Sequence, residues 1–236
     1  MTSHESDTSP DSPPSRRPAA IFVGGLLVAL AVAMPVVLLT GGGDDEGGSA
    51  EIVCGIVPDE GGSEECPTEI VTEPTNVAVS TSEGDFEIFL DVEASPATTT
   101  SFRTLVEDGF YDGLNFHRVV KGFVIQGGDP LSDDPQLAGE GGPGYYVDEP
   151  VPEGTTYTQG TVAMGKAATD PSGRSGSQFF VVSGNNSGLP PDYAYVGEVS
   201  SGFKTVKAIE ALGVTDGPPR KEVTIESMTL VPADAS

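Results

Sequence analysis

Beyond residue 75 the chain alternates between apolar periods of two and of three to four. Val77 and Val79 alternate with polar neighbours, Glu83-Gly84-Asp85 supplies turn residues, and Phe86, Ile88 and Leu90 alternate again. That pattern predicts a hairpin over Asn76 to Leu90. Ser95-Pro96 predicts a helix start, with Ser as N-cap and Pro at the first helical position. Phe102, Leu105 and Val106 then share one face, and Gly109 ends the helix. Short apolar segments follow between Gly-rich turns, clearest at Thr161–Met164, Gln178–Val182 and Tyr195–Val199. A second helix is predicted with Phe203, Val206, Ile209 and Leu212 on one side and Gly213 as its stop. Val223–Val231 is the last strand, and its alternation slips at Ser227, as at a bulge. Many short strands and two helices predict a mainly β fold, a closed antiparallel barrel with helical caps.

The first 75 residues read differently. Residues 1–18 are Ser, Pro and Asp with almost no apolar side chains, which predicts a disordered tail. Residues 19–39 form an uncharged run of 21 residues, long enough for one transmembrane helix. Gly24, Gly25 and Pro35 interrupt it, as membrane helices tolerate. Arg16 and Arg17 precede it and the next basic residue is Arg103, so the N-terminus is expected in the cytoplasm and the remainder outside it. A cleaved signal peptide is the rival reading, with Ala31-Val32-Ala33 as the cleavage signal. Cutting there would leave an apolar stub from Met34 to Leu39. Residues 40–75 are rich in Gly, Glu, Asp and Pro and are expected to be a flexible acidic linker. Cys54 and Cys66, the only cysteines, lie within it. In an exported segment such a pair is expected to form a disulfide, closing a loop worth up to about 3 kcal/mol in the chain-entropy model. With two cysteines and only His4 and His117 besides, no metal site is expected.

Charge narrows the functional classes. The net charge is −25, and residues 76–236 alone carry nine basic against 23 acidic residues. Nucleic-acid binding needs a basic surface, so it is excluded as a reading. The acid is read as a well-solvated surface. One folded domain, residues 76–236, has the apolar content for a core.

The candidate chemistry lies in Phe116-His117-Arg118 and in Phe123-Val124-Ile125-Gln126-Gly127-Gly128-Asp129. As alternating strands these set one guanidinium and one amide among apolar side chains. Met164, Gln178-Phe179-Phe180 and Leu189 supply more of the same. These motifs resemble the proline-binding pocket of the cyclophilins, a family of peptidyl-prolyl cis–trans isomerases, and the resemblance covers roughly Asn76 to Val231. It implies an eight-stranded closed barrel capped by two helices, needing no cofactor and no metal. It also implies Arg118 as catalytic electrophile with Gln126 beside it. Phe123, Met164, Phe180 and Leu189 would be the floor and walls of the proline pocket. Val124, Gly165, Lys166, Gln178 and Tyr193 would complete the substrate-binding set. Of Val124 and Phe179, strand alternation should turn at least one inward.

The chain departs from the family at the groove beside the pocket. Gly188 stands where many cyclophilins carry Trp, and Tyr193 where His is common; binding of cyclosporin, which uses that Trp, is not expected. Gly165-Lys166 replaces a common Ala-Asn pair, and Lys166 could attract acidic residues before the proline. Residues 167–177 form a loop a few residues longer than usual, and residues 139–144 read as a mobile Gly-rich loop rather than a phosphate cradle. His117 is read as structural: it should face away from Arg118 on the strand. A Ser-His-Asp hydrolase is excluded because Gly173-Arg174-Ser175-Gly176 lacks the Gly two residues after Ser.

The expected protein is a monomeric, membrane-tethered, extracytoplasmic isomerase acting on proline-containing segments of folding proteins. A proline-peptide docking module with little turnover is the alternative, and a carbohydrate-binding barrel, which would want exposed stacking aromatics, is a weaker third.

Overall fold

The computed structural model describes residues 51–57 and 61–233. The tail expected over 1–18, the transmembrane helix over 19–39 and the first part of the linker, 40–50, lie outside the described residues. Among the described residues no helix is long and apolar enough to cross a membrane.

In chain order the elements are β1 (Val53–Ile56), β2 (Thr75–Thr81), β3 (Gly84–Leu90), α1 (Pro96–Glu107), β4 (Arg118–Val120), β5 (Val124–Gly127) and β6 (Tyr145–Asp148). They continue as β7 (Thr161–Met164), β8 (Arg174–Ser175), β9 (Phe179–Val182), β10 (Tyr195–Ser201), α2 (Phe203–Ala211) and β11 (Ile225–Pro232). Eight strands form one curled antiparallel sheet in the order β11-β2-β3-β10-β7-β9-β5-β4, and β1-β6-β8 form a second, small sheet. The hairpin β2–β3 and both helices fall where the apolar periods place them. The register of β11 on β2 shifts between Ile225 and Ser227, the predicted bulge.

The large sheet does not close. Its edge strands β11 and β4 share no ladder. β4 is three residues long, and its outer edge is met by the loop after α2, where the Val119 N–H donates to the Gly217 carbonyl at 2.8 Å and the Val214 N–H donates to the Val119 carbonyl at 3.1 Å. Next to it Asn115 and Thr224 make a single antiparallel bridge, flanked by Phe116 N–H to Val223 O at 2.9 Å. The closed barrel expected from the sequence is therefore corrected to an open half-barrel. Irregular backbone satisfies the edge groups that a ladder would otherwise satisfy.

Inside the curl, Val77, Ile88, Leu90, Ile125, Val162, Phe179 and Val181 meet Phe102, Leu105 and Val106 of α1 and Val206 and Ile209 of α2, all buried. Helix α1 starts as predicted with Pro96 in its first turn, but Ser95 makes no side-chain capping bond. Instead the Glu149 carboxylate accepts the Ala97 N–H at 2.9 Å and the Thr98 N–H at 2.8 Å. These are the orphan donors of the first turn, and an acidic group there also suits the helix dipole. The cap comes from 51 and 52 residues further along the chain, so no local motif announced it.

The linker expected through residue 75 is corrected over its described residues, which form a strap packed on the domain. β1 pairs with β6, Val53 opposite Asp148 through Ile56 opposite Tyr145. Ile52, Cys66 and Ile70 pack on buried Ala97, Tyr145 and Val147. Cys54 and Cys66 are joined by a disulfide, with their Cα atoms 6.6 Å apart. The composition is polar and β1 stays largely exposed, but β6 offers its backbone an edge to pair with.

Glu149→Ala should lower stability by about 1–2 kcal/mol through loss of this cap. Urea unfolding measures it; a variant as stable as the parent would mean that the contact contributes nothing.

Candidate active site

The two-residue period of β5, β7 and β9 divides their side chains between two faces. Ile125, Val162, Met164, Phe179 and Val181 point into the main core. Val124, Ala163, Phe180 and Val182 point the other way, with Tyr157 beneath and Phe123, Leu189 and Tyr193 against them. On that second face a cavity of about 330 Å³ is lined by Arg118, Phe123, Val124, Gln126, Gly165, Lys166, Phe180, Leu189 and Tyr193. Of Val124 and Phe179, then, Phe179 is the one turned inward. Met164 was expected as a pocket wall, and the structure corrects this: it is 1% exposed and belongs to the core cluster. The register allows nothing else, because its neighbour Ala163 takes the pocket-side face, packed with Val124 and Phe180.

Phe180 and Tyr193 meet edge to face, ring centroids 5.4 Å apart. The Tyr157 hydroxyl accepts the Tyr193 N–H at 3.0 Å and donates to the Tyr193 carbonyl at 2.5 Å, fixing the segment that carries this ring. Tyr157 was not singled out from the sequence; it is an isolated aromatic between two loops and carries no periodic signal.

Arg118 begins β4 directly opposite Gln126 of β5. Its Nε donates to Asp216 Oδ1 at 2.7 Å and its Nη1 donates to Gln126 Oε1 at 3.3 Å. Gln126 Nε2 in turn donates to Gln178 Oε1 at 3.0 Å. Gln178 Nε2 donates to the carbonyls of Gly139 at 2.9 Å and Gly141 at 2.8 Å. The guanidinium is thus gripped on two nitrogens, while Nη2 has no hydrogen-bond partner among the described residues. The guanidinium carbon Cζ lies 5.9 Å from the centroid of the Phe123 ring, so a donor is held at the edge of a cavity where apolar side chains and a few polar groups meet. Asp216 is 98 residues from Arg118 in the chain, in a turn without periodicity, and sequence reasoning missed it.

Lys166 differs from expectation. Its Nζ lies 2.8 Å from Asp192 Oδ2 and its side chain is only 3% exposed. Nζ also donates to the Asp170 carbonyl at 3.1 Å and lies 5.5 Å from the Tyr193 ring centroid. A lysine so enclosed and already paired is not a free cation for acidic substrates. It is a wall and a latch for residues 165–170. The bond from Lys166 holds the Asp192 carboxyl below its ordinary range.

The Gly-rich stretch expected to be mobile is tied on both sides. Buried Asp129 accepts the Leu131 N–H at 2.7 Å and the Gly139 N–H. Gly128 starts this turn at φ +82°, and a Cβ there would come within 2.6 Å of the Ser177 carbonyl, so only glycine fits.

His117 is 9% exposed, and neither ring nitrogen has a hydrogen-bond partner among the described residues. It packs, as expected, and forms no nucleophile–base pair. Burial pushes its pKa below the ordinary 6.5, against an opposing pull from Asp129 and with a smaller push from Arg118.

Residues 76–230 match the family model for cyclophilin type peptidyl-prolyl cis-trans isomerase/CLD. The chain is 38% identical over 144 residues to peptidyl-prolyl cis-trans isomerase B of Bacillus subtilis, covering 60% of this chain and 90% of that one. It is 34% identical over 181 residues to the probable peptidyl-prolyl cis-trans isomerase B of Mycobacterium leprae, covering 69% of this chain and 59% of that longer relative. Among solved structures, a cyclophilin type isomerase of Cryptosporidium parvum, determined in the presence of the dipeptide Ala-Pro, superposes with a TM-score of 0.60 at 29% identity. That match covers 67% of this chain and 99% of the other.

The His117 environment sets a pH dependence. The unfolded state takes up a proton near pH 6.5 while the buried ring resists it, so stability is full above 6.5 and is lost as pH falls below it. Urea unfolding between pH 7.5 and 5 should show this loss, reduced in His117→Gln; equal losses in the two proteins would disprove the assignment.

Proposed function

The chain belongs to the cyclophilin-type peptidyl-prolyl cis–trans isomerases, and we propose that Arg118 and its pocket rotate X-Pro bonds in exported proteins from a membrane-tethered position. The observation that carries the catalytic part is a guanidinium clamped by Asp216 and Gln126 with Nη2 unengaged, at the rim of a cavity that Phe123, Val124, Phe180 and Leu189 wall on one side.

Amide resonance resists rotation by about 18–20 kcal/mol. Before proline the two isomers are close in energy yet exchange over tens to hundreds of seconds. Shortening that to about 10 ms means lowering the barrier by roughly 5 kcal/mol. No covalent intermediate or proton transfer is required. Phe123, Val124, Phe180 and Leu189 hold the proline ring in a dry pocket, where a charged donor acts more strongly than in water. Arg118 bonds the carbonyl or the pyramidalising nitrogen of the twisted amide and so favours the state in which resonance is broken. Because the step moves no proton, it needs no titrating group. The clamp keeps the side chain from having to order itself at each turnover. Gln126, besides clamping, offers its amide toward Gln178 and the substrate backbone, and Gly165 leaves room for that backbone.

The tether rests on the uncharged run 19–39 behind Arg16 and Arg17. With the strap packed on the domain, residues 40–50 are what joins anchor and strap. An extracytoplasmic setting also suits the Cys54–Cys66 disulfide. Clients would be newly exported chains whose X-Pro bonds limit folding, with one copy sufficient for activity.

Arg118→Ala should lower kcat/KM for an X-Pro peptide about 100- to 1,000-fold while peptide-induced NMR shifts persist. Wild-type turnover in the variant would remove Arg118 from the mechanism, and binding without acceleration by the parent would leave only a docking module. After export the protein should remain with membranes through a high-salt wash; recovery of a soluble form beginning near Met34 would overturn the anchor.

A further inference from the structure

The strap, residues 51–57 and 61–74, lies outside the family-matched residues 76–230, yet it packs beside the substrate groove. A second cavity, about 560 Å³, adjoins the proline pocket and shares Gln126, Gly165 and Lys166 with it. Val57 of the strap and Tyr146 of β6 are among its other walls.

Two glycines of the strap are required by that wall. Gly55 pairs with Tyr146 across the β1–β6 ladder, and a Cβ at 55 would overlap the Tyr146 ring. On its other side this ring takes the Arg174 guanidinium, 3.5 Å from its centroid. Arg174 is itself fixed by two bonds to Asp148, at 2.7 and 2.6 Å. Tyr146 is thus held between the strap backbone and a clamped arginine. Gly62 lies against the loop, where a Cβ would stand 2.5 Å from the Gly142 carbonyl and 2.7 Å from Pro143 Cα. Glycine within an extended segment marks such close approach of another backbone.

The strap also bonds to that loop. The Val57 N–H donates to Gly144 O at 2.9 Å and the Glu64 N–H donates to Pro143 O at 2.8 Å. The same loop supplies the Gly139 and Gly141 carbonyls that orient Gln178, and Gln178 meets Gln126 beside Arg118. A continuous path therefore runs from the disulfide-closed strap to the edge of the proline pocket.

We propose that the strap is a specificity-determining wall of the active site: it seats Tyr146 and the 139–144 loop and so shapes the groove that takes peptide residues beyond the X-Pro pair. The inference rests on the isomerase reading above. A blocked Ala-Pro dipeptide fills only the proline pocket, whereas a peptide with several residues on each side also enters the groove.

The test compares the full chain with Gly62→Val and with the double variant Cys54→Ser/Cys66→Ser, by NMR exchange on both peptides, with thermal unfolding alongside. Gly62→Val wedges the strap from the loop; the cysteine variant releases it without a wedge, and serves alone should Gly62→Val not fold. The expected result is a loss of about tenfold in kcat/KM for the long peptide, with the dipeptide rate unchanged. Equal losses on both peptides would make the strap a general stabiliser, and no loss on either would make it idle; each overturns the proposal. Acceleration of neither peptide by the parent chain would instead overturn the isomerase reading itself.

Discussion

The pocket and the core are opposite faces of the same three strands. In β5, β7 and β9 residues that fill the half-barrel alternate with residues of the opposite, pocket-side face, so Ile125 and Val124, Met164 and Ala163, and Phe179 and Phe180 are placed together or not at all. A slip of one residue in any of these strands would exchange the two sets. The pairings Ala163–Phe180 and Gln126–Phe180 carry the constraint across the sheet. Core packing therefore also aims the cavity side chains, whose rigidity comes from residues on the opposite, buried face of the same strands. A small pocket face suffices because the larger apolar area lies on the other side.

On this frame the polar groups are few and mutually committed. Arg118 is held by Asp216 and Gln126, Gln126 by Gln178, and Gln178 by two backbone carbonyls. Lys166 is occupied by Asp192. In a chain of net charge −25, the cations near the groove are each paired with a carboxylate on the domain, and Arg174 with Asp148 follows the same rule. Such pairing costs part of the guanidinium's field but fixes its direction, which in the proposed mechanism matters more, because the donor would have to meet an amide in mid-rotation.

The groove beside the pocket is built differently, from loops and from a segment before the family domain. Its walls are held by the small β1-β6-β8 sheet together with loop backbone bonds, glycine close approaches and one stacked arginine. The cavity residues from Arg118 to Tyr193 lie within the family-matched residues 76–230, whereas the strap lies before them.

Sequence alone determined the elements whose causes are local. Alternation at 77–90, Pro96 and Gly109 about the first helix, the slip at Ser227 and the pairing of the two cysteines could all be read from spacing. The motifs around Arg118 and Gln126 named residues that, Met164 and Gln178 apart, the structure brings to one cavity. Tertiary structure decided the remainder because its causes are distant in the chain. Edge strands that fail to meet leave a half-barrel rather than a barrel. The helix cap comes from Glu149, and the arginine clamp from Asp216. Met164 turned inward because its strand register left it no other face. A polar, Gly-rich segment became a strap because β6 offered it an edge and a disulfide closed it. Periodicity records which face a residue shows to its own neighbours; it carries no record of which distant backbone or carboxylate will arrive to meet it.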